Sequence, residues 1–159
     1  AKKVNLPQGN KTVYKHVTNN NYIYFVMTDK VFITDENGNE KGNLSISVEN
    51  PMICASGDYV SVGDVGGNNL YLIKNTTTLK EITTQKPIKN LSLNSSGNCI
   101  VVTEGDMHKR DVTLYDTKGN ELFVWTSGSK LVFDAVVSEN GKNVIISSLD
   151  INWVFASSL

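Results

Sequence analysis

Histidine, cysteine, tryptophan and proline are all scarce here, with two, two, two and three residues respectively in a chain of 159. Each shortage closes off a class of chemistry. His16 and His108 have no second His or Cys at ligand spacing, so a metal centre lacks donors, and a catalytic triad cannot be assigned from them. Cys54 and Cys99 stand 45 residues apart with no CxxC pair, which argues against a zinc site or a disulfide framework; both read as buried free thiols. Charge of one sign is also missing: 15 Lys and Arg face 16 Asp and Glu without a block of either, so no nucleic-acid footprint or polybasic membrane patch is expected. No apolar run approaches the roughly 20 residues of a membrane span, and the opening AKKVNLP lacks the apolar centre of a signal peptide. The chain reads as soluble. It begins at Ala rather than Met, which suggests processing or an engineered boundary, so membrane attachment is expected only through a segment absent from it.

What the chain has in abundance is a repeat. ASGDYVSVGD from Ala55, SSGNCIVVTE from Ser95 and ENGKNVIISS from Glu139 each set a small or polar pair, a Gly and a polar residue before an alternating apolar strand. Gly57, Gly97 and Gly141 are 40 and 44 residues apart, and NNNYIYFVMT fits the same frame with Asn20 standing 37 residues before Gly57. Asn, like Gly, tolerates the left-handed backbone such a turn needs. A second marker keeps the period: DENGNE at Asp35 and DTKGNE at Asp116 share D-x-x-G-N-E at a spacing of 81, while NTTTLK at Asn75 has lost the Gly and reads as a diverged hairpin.

Strands placed around these turns follow one scheme: A, turn, B, turn, C, turn, D. In the third unit A is about Lys89 to Asn94, B is Asn98 to Thr103, C is Asp111 to Asp116 and D is Glu121 to Thr126. The segments are short and rich in Val, Ile, Tyr and Phe, and no window sustains a helical period. The fold class is all-β, and four short antiparallel strands every 40 to 44 residues describe β-propeller blades. A β-sandwich does not explain the period. Nearly continuous apolar strands such as NVIISS and LVFDAVV predict blades covered on both faces.

The expected organisation is a single domain over 1–159 with units at about 12–47, 51–84, 88–126 and 131–159, and 2–6 as a spare outer strand. The order is then D-ABCD-ABCD-ABCD-ABC, with INWVFASSL, Ile151 to Leu159, as the last C strand. Three arrangements stay open: a four-bladed ring closed on itself, a ring completed by two copies, and a piece of a longer propeller, the last being favoured because four blades is the lower limit of known rings.

VVSENGKNVIISS resembles the blade turn of the TolB and WD40-like propellers, in which Ser-Pro-Asp-Gly-Lys leads into the B strand. Ser138, Asn140, Gly141 and Lys142 hold the Ser, Asp-like, Gly and Lys places, and Glu139 replaces the Pro. No Gly-His or Trp-Asp pair marks a blade. The run from IKNLSLNSSGNCIVVTEG through VTLYDTKGNELFVWTSGSKLVFDAVVSENGKNVIIS is closer still to an uncharacterised family of Firmicutes propellers, distantly similar to the TolB, WD40-like and PQQ-like repeats. That resemblance implies a propeller facing the outside of a Gram-positive cell, from a membrane-anchored parent about twice as long, and carries over no catalytic residue.

Candidate chemistry is thin. No G-x-S-x-G, P-loop or dinucleotide fingerprint occurs; GDVGGNN, Gly63 to Asn69, joins two strands and reads as a hairpin loop. Each unit carries acid at its B–C turn, namely Asp29, Asp64, Glu104 with Asp106, and Asp150, and in a ring these would gather on one face, where oxygen ligands suit a hard cation or a basic partner. Because Asp is also a good turn residue, no metal or cofactor is assigned. The inserted loop EGDMHKRD, Glu104 to Asp111, lies where propellers tend to bind, Asp134 is the ionisable exception on the inner strands, and Trp125 and Trp153 are expected between blades. The sequons at Asn10 and Asn75 read as chance in an Asn-rich chain. The reading is a non-enzymatic binding or scaffold module for a protein or peptide. The alternatives are a hydrolase or lyase with a channel site and a self-assembly module whose incomplete blade makes a homodimer.

Overall fold

The computed structural model describes residues 15–105, 109–128 and 130–150. Three four-stranded antiparallel meanders and one hairpin follow each other along the chain. Blade 1 holds β1 (Lys15–Asn19), β2 (Tyr22–Val26), β3 (Lys30–Asp35) and β4 (Glu40–Ser45). Blade 2 holds β5 (Pro51–Ser56), β6 (Tyr59–Asp64), β7 (Asn69–Lys74) and β8 (Thr77–Thr83). Blade 3 holds β9 (Ile88–Leu93), β10 (Cys99–Glu104), β11 (Arg110–Tyr115) and β12 (Glu121–Thr126), and blade 4 pairs β13 (Lys130–Val137) with β14 (Val144–Asp150). The expected spare strand at 2–6 and the last C strand at 151–159, with Trp153, lie outside the described residues.

Alternation of side chains across each sheet explains how the blades stack. In β6, Val60 and Val62 face back to blade 1, where with Tyr71 and Ile73 they meet Tyr24, Val26, Val31 and Ile33. On the opposite face of blade 2, Leu70 and Leu72 meet Leu91, Cys99 and Val101 of blade 3. The alternate residues of β10, Ile100 and Val102, turn to Val132, Ala135 and Val137 of blade 4, with Trp125 partly buried beside them. Ile33, Leu70, Ile73 and Ile100 are all fully buried, and each such side chain contributes about 1.5–3 kcal/mol relative to exposure. Middle strands therefore read as unbroken apolar runs because both of their faces are junctions. Blade 4 departs from that expectation: Phe133, Val136, Ile145 and Leu149 are 57%, 39%, 64% and 53% exposed.

The turns repeat as the spacing implies. Asn20, Gly57, Gly97 and Gly141 all have positive φ, at 52°, 57°, 84° and 69°. In DENGNE the Asp35 carboxylate accepts from the Asn37 and Asn39 amides at 2.9 Å each and from Asn39 Nδ2 at 2.8 Å; Asp116 repeats this with Lys118 and Asn120 at 2.8 Å. Without the Gly, blade 2 closes the same hairpin as a two-residue turn, Lys74 pairing with Thr77 and Asn75 taking φ 51°. All three C–D ladders carry a register shift near this turn, at Ile33/Thr34, Leu72/Ile73 and Leu114/Tyr115.

Candidate functional site

The acidic B–C residues occupy different surroundings. Asp29 sits in the β2–β3 turn, where its carbonyl accepts from the Ile46 amide at 3.0 Å. Asp64 is buried at the end of β6, and its Oδ1 accepts from the amides of Glu49 and Asn50 at 2.9 and 2.8 Å, capping the connector from blade 1 to blade 2. Glu104 lies 2.9 Å from Lys89 Nζ and 3.9 Å from Arg110 Nη1. Among the described residues no three His, Cys, Asp or Glu side chains are grouped to hold a metal ion. Asp106 and His108 lie outside the described residues, as does the Asp150 side chain. His16 is exposed on β1, opposite Phe25.

The two ends of the blade stack differ. At the A–B end each turn grips the next. Asn19 and Asn20 donate their Nδ2 groups to the Gly57 carbonyl at 2.9 and 2.8 Å, and Asn20 also donates to Asp58. Gly57 abuts Ser95, Asn94 Nδ2 donates to the Ser138 carbonyl at 2.9 Å, and both the amide and hydroxyl of Ser95 donate to Glu139. Those bonds hold the Glu139 carboxyl below its ordinary range, the Ser95 side chain first. The D-x-x-G-N-E carboxylates are held down likewise, Asp35 to about 2, mainly by the Asn39 side chain.

The B–C end instead opens into cavities at the blade junctions. One of about 480 Å³ lies between the blade 1 connector, Ser47 to Asn50, and the GDVGGNN loop, whose Gly66 and Gly67 bond to Ile88. Another, of about 400 Å³, lies between blades 3 and 4 and is lined by Lys89, Asn90, Val102, Arg110, Leu131, Val132 and Phe133. Its inner wall is organised by Asp134, whose Oδ1 accepts from Asn90 Nδ2 at 2.7 Å and from its neighbour Ala135 N at 2.8 Å, while Asn90 Oδ1 accepts from Leu91 N in the same manner. The two strands are alike because β9 and β13 both lose register just before these residues, at Val102/Thr103 and Val132/Asp134. Sequence reasoning singled out Asp134 and the inserted loop that contains Arg110 but missed Lys89 and Asn90. The signal available was positional: Lys89 is the second residue of an A strand and Arg110 the first of a C strand, at the same end of the sheet.

Both cysteines are free and lie at the junction of blades 2 and 3. Burial pushes Cys99 up to about 12, and Cys54, raised by burial and then by Asp134, donates to the Leu91 carbonyl at 3.3 Å.

Known structures share this architecture. The WD40 domain of Neurospora crassa Pan2 superposes with a TM-score of 0.52 at 14% identity, over 80% of this chain and 40% of that one. Kluyveromyces lactis Hsv2p gives 0.63 at 12% identity, over 89% and 47%. BBS1N, solved in complex with ARL6DN, gives 0.55 at 13% identity, over 79% and 42%. The chain thus spans less than half the length of each of these proteins, and at such identities the likeness shows the fold, a WD40-like β-propeller. No curated protein matches the sequence. Residues 1–158 match the family described as a family of unknown function, DUF5711, and the chain belongs to that family.

Proposed function

We propose that this chain is a non-enzymatic binding or scaffold module that receives a protein or peptide segment at the B–C end of its blades. The observation that carries the reading is the contrast between the two ends: side chains knit the A–B turns together, whereas the B–C end presents junction cavities. The cavity between blades 3 and 4 combines what a peptide needs, namely the cations Lys89 and Arg110, the amide of Asn90 and an apolar wall of Leu131 and Val132. The carboxylates that an enzyme would recruit are engaged in structural tasks: Asp64 caps a connector, Glu104 bridges two cations, and Asp134 orders the inner strands. The near balance of charge over the whole chain favours a protein partner over nucleic acid.

Selection of displayed peptides on the immobilised chain tests this. Selected peptides should lose at least about tenfold in affinity on Lys89→Glu or Arg110→Glu, which invert a lining charge, and none on Lys118→Ala at the opposite end. Peptides indifferent to both cavity variants would sink the proposal. An extracytoplasmic location, with membrane attachment through a segment outside this chain, belongs to the same proposal and rests on the resemblance of blades 3 and 4 to the uncharacterised Firmicutes propellers; protease shaving of intact cells, followed by detection of the blade peptides, checks it.

A further inference from the structure

We infer that the outer edge of blade 3 takes up an extended peptide segment as an added β-strand along β12, with a lysine or arginine of that segment entering the cavity between blades 2 and 3. The fourth strand of a complete blade lies on the rim of the stack whatever follows blade 4, and among the described residues no strand pairs with β12 on the side away from β11. The outer strands of the three complete blades meet that exposure differently. β4 carries Glu40 and Lys41, and β8 carries Lys80 and Glu81, all exposed; charges so placed deter pairing with another chain. After its opening Glu121, β12 instead runs through Leu122, Phe123, Val124 and Trp125, with Leu122 56% and Val124 55% exposed. Its edge lacks the guard that the other two keep.

A second, independent observation is a cavity that the same strand borders. About 200 Å³ in volume, it lies between the connector at Thr84 to Lys86 and one face of blade 3, where Asp111, Thr113 and Tyr115 of β11 stand beside Glu121 and Val124 of β12. Tyr115 packs in the core shared by blades 2 and 3, which fixes the side. The charged groups on its lining are the carboxylates of Asp111 and Glu121 against the ammonium of Lys86. One negative charge is left over. Lys86 Nζ stands 3.3 Å from Asp111 Oδ2, whereas Asp111 Oδ1 is buried without a hydrogen-bond partner, an acceptor that a further donor would satisfy. Glu121 Oε1 accepts from the Tyr115 hydroxyl at the long distance of 3.4 Å.

Together the edge and the cavity select the partner. Val124 pairs with Thr113 and both line the cavity, so the residue of an added strand that stands opposite Val124 turns its side chain to the same side. Lysine or arginine at that place lays its alkyl stem along Val124 and brings its donors to the acidic lining. An acidic side chain there meets Glu121 and Asp111 instead, and is repelled. The backbone of the segment supplies affinity along β12, and the one basic position supplies selectivity. This site is separate from the cavity between blades 3 and 4 and does not depend on that cavity binding anything.

The test titrates the 159-residue chain, up to about 1 mM, into a fluorescein-labelled peptide of alternating threonine and valine with one central lysine, read by anisotropy. A dissociation constant on the order of 100 µM is expected, with the central-glutamate peptide at least about tenfold weaker. Methylating the backbone nitrogens on one edge of the lysine peptide, and in a second peptide those on the other, should abolish binding in one of the two. Val124→Lys gives β12 the guard that Lys41 and Lys80 give its counterparts, and should weaken the lysine peptide at least about tenfold; Glu121→Gln should weaken it about fivefold, and Glu40→Gln on blade 1 not at all. Circular dichroism reports whether each variant keeps its sheets. With the unaltered chain, the lysine peptide should slow amide hydrogen exchange in β12 and not in β4 or β8. No binding of the lysine peptide, equal binding of the glutamate peptide or of both methylated ones, indifference to a folded Val124→Lys, or protection of β4 or β8 in place of β12 would overturn the inference.

Discussion

Replacing Gly57 by alanine sets two costs against each other that the repeat's glycine avoids together. The first is conformational: at φ 57° an L side chain strains the backbone by about 1–2 kcal/mol. The second is steric and comes from the neighbouring blade. A Cβ at Gly57 would stand 2.8 Å from the Ser95 carbonyl oxygen and 3.2 Å from Ser95 Cα, and backbone yields less readily than a flexible side-chain end. Overpacking of this kind costs about 1–3 kcal/mol, so the total for Gly57→Ala is roughly 2–5 kcal/mol. Gly66 isolates the first cost, because its φ is 88° while nothing lies within 4 Å of an added Cβ. Gly66→Ala should therefore lose only about 1–2 kcal/mol. Urea unfolding of the three proteins, compared at constant m, reads the difference, and a gap of about 2 kcal/mol corresponds to 4–8 °C in Tm for a chain of this size. Gly57→Asn sharpens the experiment. Asparagine takes this conformation at Asn20, so it relieves strain but keeps the contact with Ser95 and should stay destabilised. Should Gly57→Asn regain wild-type stability, or Gly57→Ala match Gly66→Ala, the turn-to-turn contact between blades 2 and 3 would not be what demands glycine.

Acid should weaken the C–D turns in a defined window. Asp35 ionises at about 2 in the fold against an ordinary 3.8, a depressed value, so its stabilisation is present above the ordinary value and is lost as pH falls through the folded one. Asp35→Asn should accordingly be less stable than wild type at neutral pH, with the gap closing between about pH 4 and 2 in urea unfolding; a gap independent of pH would contradict the hydrogen-bonded turn. Thiol labelling at pH 8 gives a separate check. With Cys99 fully buried and pushed up to about 12, and Cys54 also raised, both should react far more slowly than a free thiol, and Cys99 should label only when blades 2 and 3 separate; rapid native-state reaction of Cys99 would refute that junction.

The architecture was legible because its signals are local. Asn20 in the place of a glycine, and the paired Asp35 and Asp116 turns, are decided by a few consecutive residues whose backbone needs show directly in their identities. Strand ends shifted by a residue, β9 running Ile88–Leu93 and β11 Arg110–Tyr115, since the register shifts that move them arise from pairing across the sheet. The site was harder to read. Asp64 looked like a B–C face ligand, yet it binds the amides of Glu49 and Asn50, which come near only once blade 1 has turned into blade 2. Lys89, Arg110 and Glu104 form one group through the pairing of β9, β10 and β11, which no sequence spacing announces. The two faces of LVFDAVV were equally hidden: the alternation is visible in the sequence, but whether a neighbour covers the second face is a property of the stack.

The A–B turns, each bonded to or packed against its neighbour along the arc, also bear on how such molecules change length. Cohesion passes from Asn20 to Gly57, from Gly57 to Ser95 and from Ser95 to Glu139, always between adjacent units. A chain held in this way behaves as a row of coupled units with nearest-neighbour energies. Duplication or loss of one unit then has to rebuild a single junction and leaves the others untouched. The grammar of the turn, an amide or hydroxyl donor offered to the following unit's carbonyl or carboxylate at the first and third junctions and a glycine packed against the next turn at the second, is what lets blade number drift while the stack stays intact.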